Sequence, residues 1–147
     1  MEELGFKKYM EKTYDEPLLS SDIIPPTRST KIFMGCRRVN EKEYIVGVIA
    51  DSKIMSTQTH SSTDATFENG FYYYLIPGKS VGFAPNQHVK VNGPDTFGCH
   101  MKNGKFECSA PDRLSWTLNA SSVGGWRCGT FGALHNDKTF IKELWFL

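Results

Sequence analysis

The chain has 147 residues, a net charge of +1, 39% hydrophobic and 22% charged side chains, which fits one ordinary globular domain and excludes intrinsic disorder. It has no basic block that could neutralise a phosphate backbone, so nucleic acid is not an expected partner. No apolar run approaches the roughly 18 residues of a spanning helix, so no membrane span is expected.

The first 16 residues include eight charged side chains. Glu3 and Lys7 stand at i, i+4, and Phe6, Tyr9 and Met10 form an apolar stripe at helical spacing. This pattern predicts a short amphipathic helix or a partly ordered arm. The charged start does not read as a signal peptide, so a cytoplasmic location is expected, with secretion the alternative if a leader has been removed. Pro17 and the pair Pro25-Pro26 end the helix and favour an extended connector. Residues 1–26 are therefore expected to be an N-terminal helix or arm with its connector, and 27–147 the main domain.

From Lys31 onward the pattern is strand, turn, strand. Lys31 to Cys36 and Glu43 to Ala50 are β-branched or aromatic runs separated by a loop, and residues 56–64 are polar and small, a loop or weak edge strand. Further strands are expected over Phe71 to Ile76, Ser80 to Ala84, His88 to Val91, Arg113 to Leu118, Gly125 to Cys128 and Thr139 to Phe146. Glycine, proline and asparagine punctuate the gaps. Short strands at this spacing predict an all-β antiparallel sandwich, jelly-roll-like or related, with the short N-terminal helix or arm appended.

Residues 97–110 are the most constrained stretch. Asn103-Gly104 is a strong type I′ hairpin signal, because that turn needs φ > 0 at both central positions. With those two residues as the loop, Lys102 faces Lys105, Met101 faces Phe106, His100 faces Glu107 and Cys99 faces Cys108. Phe97, Cys99, Met101, Phe106, Cys108 and Ala110 then share one apolar face, and His100 and Glu107 lie on the other. Cys99 and Cys108 fall at a non-hydrogen-bonded pair, where Cα atoms approach to about 4.5 Å. That spacing permits a disulfide, while a reducing compartment would leave buried free thiols. Cys36 and Cys128 could pair only through the fold. No metal site is expected: Cys99 and His100 point to opposite faces, and no Cys-x-x-Cys or His-x-x-x-His spacing occurs.

No nucleophile elbow, phosphate loop or paired-carboxylate motif is present, so no catalytic residue and no cofactor are expected. Candidate ligand contacts come instead from aromatic and glycine-flanked positions. In Phe71-Tyr72-Tyr73-Tyr74-Leu75, Tyr72 and Tyr74 share a face opposite Phe71, Tyr73 and Leu75, and if exposed they form a flat strip suited to a sugar ring or a peptide. His88 belongs to the polar face of a strand that could lie beside them. Trp126 and Arg127 sit in Gly124-Gly125-Trp126-Arg127-Cys128-Gly129, where Arg127 could clamp a carboxylate or phosphate. Leu114, Trp116 and Leu118 read as core.

These features predict a lectin-like, non-catalytic recognition module that binds a glycan or protein segment through exposed aromatics and polar loops. Two alternatives are a small cysteine-dependent enzyme or covalent binder using Cys128, with His135 as its base, and a structural subunit of a larger assembly. An oligomer is compatible with either.

Overall fold

The computed structural model describes residues 1–61, 63–87, 94–118 and 124–147. The chain is an antiparallel all-β protein. Eleven strands are described: β1 (Lys7–Thr13), β2 (Lys31–Arg38), β3 (Tyr44–Asp51), β4 (Thr66–Glu68), β5 (Phe71–Ile76), β6 (Ser80–Ala84), β7 (Cys99–Lys102), β8 (Lys105–Cys108), β9 (Leu114–Thr117), β10 (Arg127–Cys128) and β11 (Phe140–Phe146). They form a four-stranded sheet in the order β1-β11-β2-β3, a five-stranded sheet in the order β10-β9-β6-β5-β4, and the hairpin β7-β8. The expected strand over His88 to Val91 lies outside the described residues. No helix among the described residues is long and apolar enough to cross a membrane.

Alternation along each strand builds the core. Ile32, Met34 and Cys36 of β2 and Val46, Val48 and Ala50 of β3 point one way, toward Tyr73 and Leu75 of β5, Val81 and Phe83 of β6, and Leu114 and Trp116 of β9. These side chains form one buried apolar cluster shared by the two sheets. Leu114, Trp116 and Leu118 are core residues, as expected. The Trp116 indole N–H donates to the Tyr14 hydroxyl at 3.0 Å, and that hydroxyl donates to the Arg127 carbonyl at 2.9 Å, so the polar tips of two buried aromatics are satisfied inside the cluster. The core is also cross-linked: a disulfide joins Cys36 on β2 to Cys128 on β10, 92 residues apart in sequence.

The N-terminal segment differs from its sequence pattern. Glu2–Leu4 form a 3-10 turn, which ends at Gly5 in the left-handed region with φ 87°, and Ser20–Ile23 form a second. Residues 7–13 are not helical; they are the edge strand β1, paired antiparallel with β11. The stripe of Phe6, Tyr9 and Met10 is split among three environments. Met10 enters the main core, Phe6 joins a smaller cluster with Phe33 and Trp145, and Tyr9 remains exposed where the register shifts between Lys8 and Met10. A helix would have used one face only. Pairing with β11 buries apolar groups on both faces, and that tertiary gain overrides a weak local preference.

The opposite edge of the second sheet holds a strand that the sequence reading leaves out. Asn69 and Gly70 have φ of 50° and 86°, the two positive values a type I′ turn requires, and they join β4 to β5.

Lys142, on the inward side of β11, is a charged residue buried in this frame. Its Nζ donates to the carbonyls of Glu16 at 2.7 Å and Gly124 at 2.8 Å, and lies 5.8 Å from the centre of the Tyr14 ring. A Cβ on Gly124 would overlap both this amine and the Glu16 carbonyl, so the close approach needs glycine there. Burial, with Lys12 nearby, pushes Lys142 down to about 7, against the pull of Glu16, Asp15 and Asp22. Between about 7 and the ordinary lysine value the unfolded chain binds the proton that the folded chain releases, so stability should rise with pH through this window. The rise is at most about 1.4 kcal/mol per pH unit for one proton. Urea midpoints at pH 6.5, 7.5 and 8.5 test this: Lys142→Met should flatten the rise, and an unchanged slope would contradict it.

Candidate ligand-binding cleft

β11 lies between β1 and β2, so its side chains alternate between the core and the outward face of the four-stranded sheet. Glu143 and Trp145 face outward. Their cross-strand neighbours set the local layout: Glu143 stands opposite Glu11 on β1 and Gly35 on β2, and Trp145 opposite Lys8 and Phe33. Gly35 is paired with Gly47 of β3, and a Cβ on either would collide with the Phe33 ring, which lies across both. Tyr44 meets that ring edge-on at 4.7 Å. The glycine pair thus lets Phe33 lie flat on the sheet, and Phe33 supports Tyr44.

Glu143 is the organising group. It is 1% exposed, yet its carboxylate accepts three hydrogen bonds: from Trp145 Nε1 at 2.7 Å, from the Tyr44 hydroxyl at 2.9 Å and from Arg37 Nε at 2.5 Å. Burial alone would push this carboxyl up; the donors Trp145, Arg37 and Tyr44 outweigh it and hold Glu143 below the usual carboxylate range. Burial and the neighbouring Glu143 push the Tyr44 hydroxyl up to about 12. Arg37 also reaches Glu11 at 3.3 Å and the carbonyls of Arg38 and Glu41, so one guanidinium bridges the two opposed carboxylates. Lys8 pairs with Glu11 at 2.7 Å and stands 5.2 Å from the Trp145 ring centre.

Lys8, Arg37, Tyr44, Glu143 and Trp145 line a cleft of about 620 Å³ together with Met1, Glu2, Glu3 and Lys42. Its side-chain charges balance: Glu2, Glu3 and Glu143 are matched by Lys8, Arg37 and Lys42. Glu143 engages three donors and is held ionised, which makes it a poor proton donor; its work is to orient Tyr44, Trp145 and Arg37. Among the described residues no group of three or more His, Cys, Asp or Glu side chains could hold a metal ion.

The expected site residues are not gathered in one place. Tyr74 is 2% exposed rather than part of a surface strip, and its hydroxyl donates to the Leu114 carbonyl at 3.3 Å. Tyr72 is half-buried and packs on the exposed Phe67, ring centres 4.8 Å apart. The aromatic strip is thus reduced to one tyrosine with a neighbour from β4. His88 lies outside the described residues. Trp126 is partly exposed and meets Phe106 at 5.6 Å, at the base of the β7-β8 hairpin.

Arg127 is fully buried and cannot act as a surface clamp. It donates to the carbonyls of Gly129 at 2.9 Å, Phe97 at 2.6 Å and Ala110 at 2.7 Å, and lies 3.5 Å from Asp95. Asp95 also binds Arg113 Nε at 2.8 Å and the Phe97 amide at 3.0 Å. Three buried charges therefore fasten the two ends of the hairpin segment to the outward side of the five-stranded sheet.

The hairpin has the expected register, with Cys99 opposite Cys108 and His100 opposite Glu107, and Asn103 and Gly104 at positive φ. Cys99 and Cys108 form a disulfide, their Cα atoms 3.9 Å apart. Of the apolar face Cys108 is buried and Cys99, Phe106 and Ala110 partly so, while Met101 is exposed and Phe97, also exposed, has the Arg113 guanidinium 4.3 Å from its ring centre. No free cysteine is present among the described residues. Cys128, bonded to Cys36 and fully buried, has no thiol to offer a substrate.

Arg37, Tyr44, Glu143 and Trp145 escape a motif search. The available signal is Lys142-Glu143 inside the apolar run Phe140 to Phe146. Two adjacent charges in such a strand point to opposite faces, and each must find partners if both faces are covered.

The chain matches no protein family, and comparisons with curated proteins and with solved structures likewise find no match.

Proposed function

We propose that the protein is a non-catalytic recognition module that takes a glycan in the cleft over Glu143. The observation that supports this reading most is the composition of the cleft: six charged side chains of balanced sign around Tyr44 and Trp145. Sugar hydroxyls both donate and accept, so carboxylates and cationic groups can each engage them, while a ligand of strong single-sign charge gains little from a balanced lining. The partly exposed Tyr44 ring supplies apolar contact for a sugar ring. The interlocked Glu143, Arg37, Tyr44 and Trp145 give the site preorganisation, which lowers the entropic cost of binding. The lost Cys128 thiol and the ionised, three-donor Glu143 both favour binding over catalysis.

The two disulfides favour an oxidising compartment over the cytoplasm.

An array of defined glycans, followed by calorimetry on any hit, tests the reading. Lys42 is exposed at the rim and Tyr44→Phe removes one hydroxyl, so neither Lys42→Ala nor Tyr44→Phe should unfold the protein. Each should weaken binding about tenfold, the value of a charge-assisted hydrogen bond. An array without hits, or hits that both variants bind as the parent does, would refute the glycan reading.

A further inference from the structure

A second cavity, of about 470 Å³, lies around the edge of β1 from the first, and Lys8 lines both. Its lining differs in kind. Its charged side chains are Lys7, Lys8 and Arg28, no Asp or Glu being among its described lining residues, and Tyr9 and Phe146 form an apolar wall with their rings edge-to-face at 4.9 Å. Neither the Lys7 nor the Arg28 side chain has a hydrogen-bond or ion-pair partner among the described residues. The nearby Leu147 main-chain oxygen is already taken by the amides of Thr30 at 2.6 Å and Lys31 at 3.2 Å.

Arg28 also occupies an unusual backbone position. The Ser29 amide closes a turn onto the Pro26 carbonyl at 3.1 Å, and Arg28, third in that turn, has φ 72°. A type II turn puts positive φ at this position and favours glycine there. An arginine held in such a conformation at a cavity wall, without a partner, points to a use for its guanidinium outside the chain.

We infer that the ligand is an acidic oligosaccharide spanning both cavities. An uncharged sugar unit occupies the balanced cleft over Glu143, and a carboxylate or sulfate group on an adjoining unit sits between Lys7 and Arg28. The inference rests on the glycan reading of the first cleft and adds what the second contributes, selection for negative charge. Arg28 offers a planar pair of donors suited to either oxyanion, and Lys7 a second charge.

The test is calorimetry with three tetrasaccharides: one of hyaluronan, in which carboxylate-bearing units alternate with neutral ones, one of keratan sulfate with sulfate on alternate units, and uncharged maltotetraose. At least one acidic probe should bind ten times more tightly than the uncharged one, and which of the two does so identifies the anionic group. Arg28→Gly should erase that preference while leaving the melting temperature unchanged or raised, since glycine relieves the turn. Lys7→Ala should reduce the preference. Equal binding of acidic and uncharged probes overturns this inference and leaves the glycan reading standing. No binding by any of the three overturns the inference and counts against the glycan reading as well. A preference for acid that survives Arg28→Gly and Lys7→Ala together places the anion elsewhere and also overturns it.

Discussion

Replacing Asp95 with alanine is expected to lower stability by about 3–5 kcal/mol, the usual cost of breaking a buried ion pair from one side. Asp95 is 2% exposed, and the two arginines that reach it, Arg113 and Arg127, are both fully buried. Losing the carboxylate leaves two guanidinium groups in a desolvated setting without the anion they share. The Phe97 amide would also lose its acceptor. Because Arg127 holds the carbonyls of Phe97 and Ala110, the damage should spread to the hairpin between them. Asp95→Asn keeps the shape and removes the charge, so it should fall between alanine and the parent. Urea denaturation of the three proteins measures the cost, and amide exchange in residues 99–108 measures the spread. A loss below about 1 kcal/mol for Asp95→Ala would mean that the network is not the fastening described.

The second large effect belongs to the Cys36–Cys128 bond. In the chain-entropy account a cross-link stabilises by restricting the unfolded chain, and the gain grows with the loop it closes. A separation of 92 residues corresponds to about 4.6 kcal/mol, and the nine-residue separation of Cys99–Cys108 to about 2.6 kcal/mol. Packing widens the difference. Cys36 and Cys128 are both fully buried in the shared core, whereas the hairpin bond sits near the surface. The double variant Cys36→Ala/Cys128→Ala should therefore unfold at a much lower denaturant concentration than Cys99→Ala/Cys108→Ala. The opposite order would show that the hairpin, not the cross-link between sheets, dominates stability.

Local signals were the ones the sequence expressed clearly. Asn103-Gly104 determines its hairpin through φ values that few other residues tolerate, and the pairing of Cys99 with Cys108 follows by counting. The bounds of β5 and β6 follow from glycine, proline and asparagine at their ends. The N-terminal strand was not legible, because its partner lies at the other end of the chain and the short-range pattern of Phe6, Tyr9 and Met10 resembles a helix stripe. Arg127 reads as a surface residue that could act as a clamp, because nothing in its neighbourhood reveals Asp95, 32 residues away, or the carbonyls it meets. The burial of Tyr74 is not legible because alternation tells which residues share a face, not whether that face is covered. The cleft depends on the same missing knowledge. Glu11, Arg37, Tyr44 and Glu143 come from four strands, and only the order β1-β11-β2-β3 brings them together.

The most direct test of the cleft uses the three tryptophans as separate reporters. Trp116 is in the core and bonded to Tyr14, Trp126 packs on Phe106 beneath the hairpin, and Trp145 is bonded to Glu143 in the cleft. Their indole N–H signals can be followed by NMR while the tighter-binding of the two acidic tetrasaccharides is added. The Trp145 signal should shift with saturation while those of Trp116 and Trp126 stay in place. Saturable binding that leaves Trp145 fixed, or that moves Trp126 instead, would contradict the assignment of the ligand site to the cleft over Glu143.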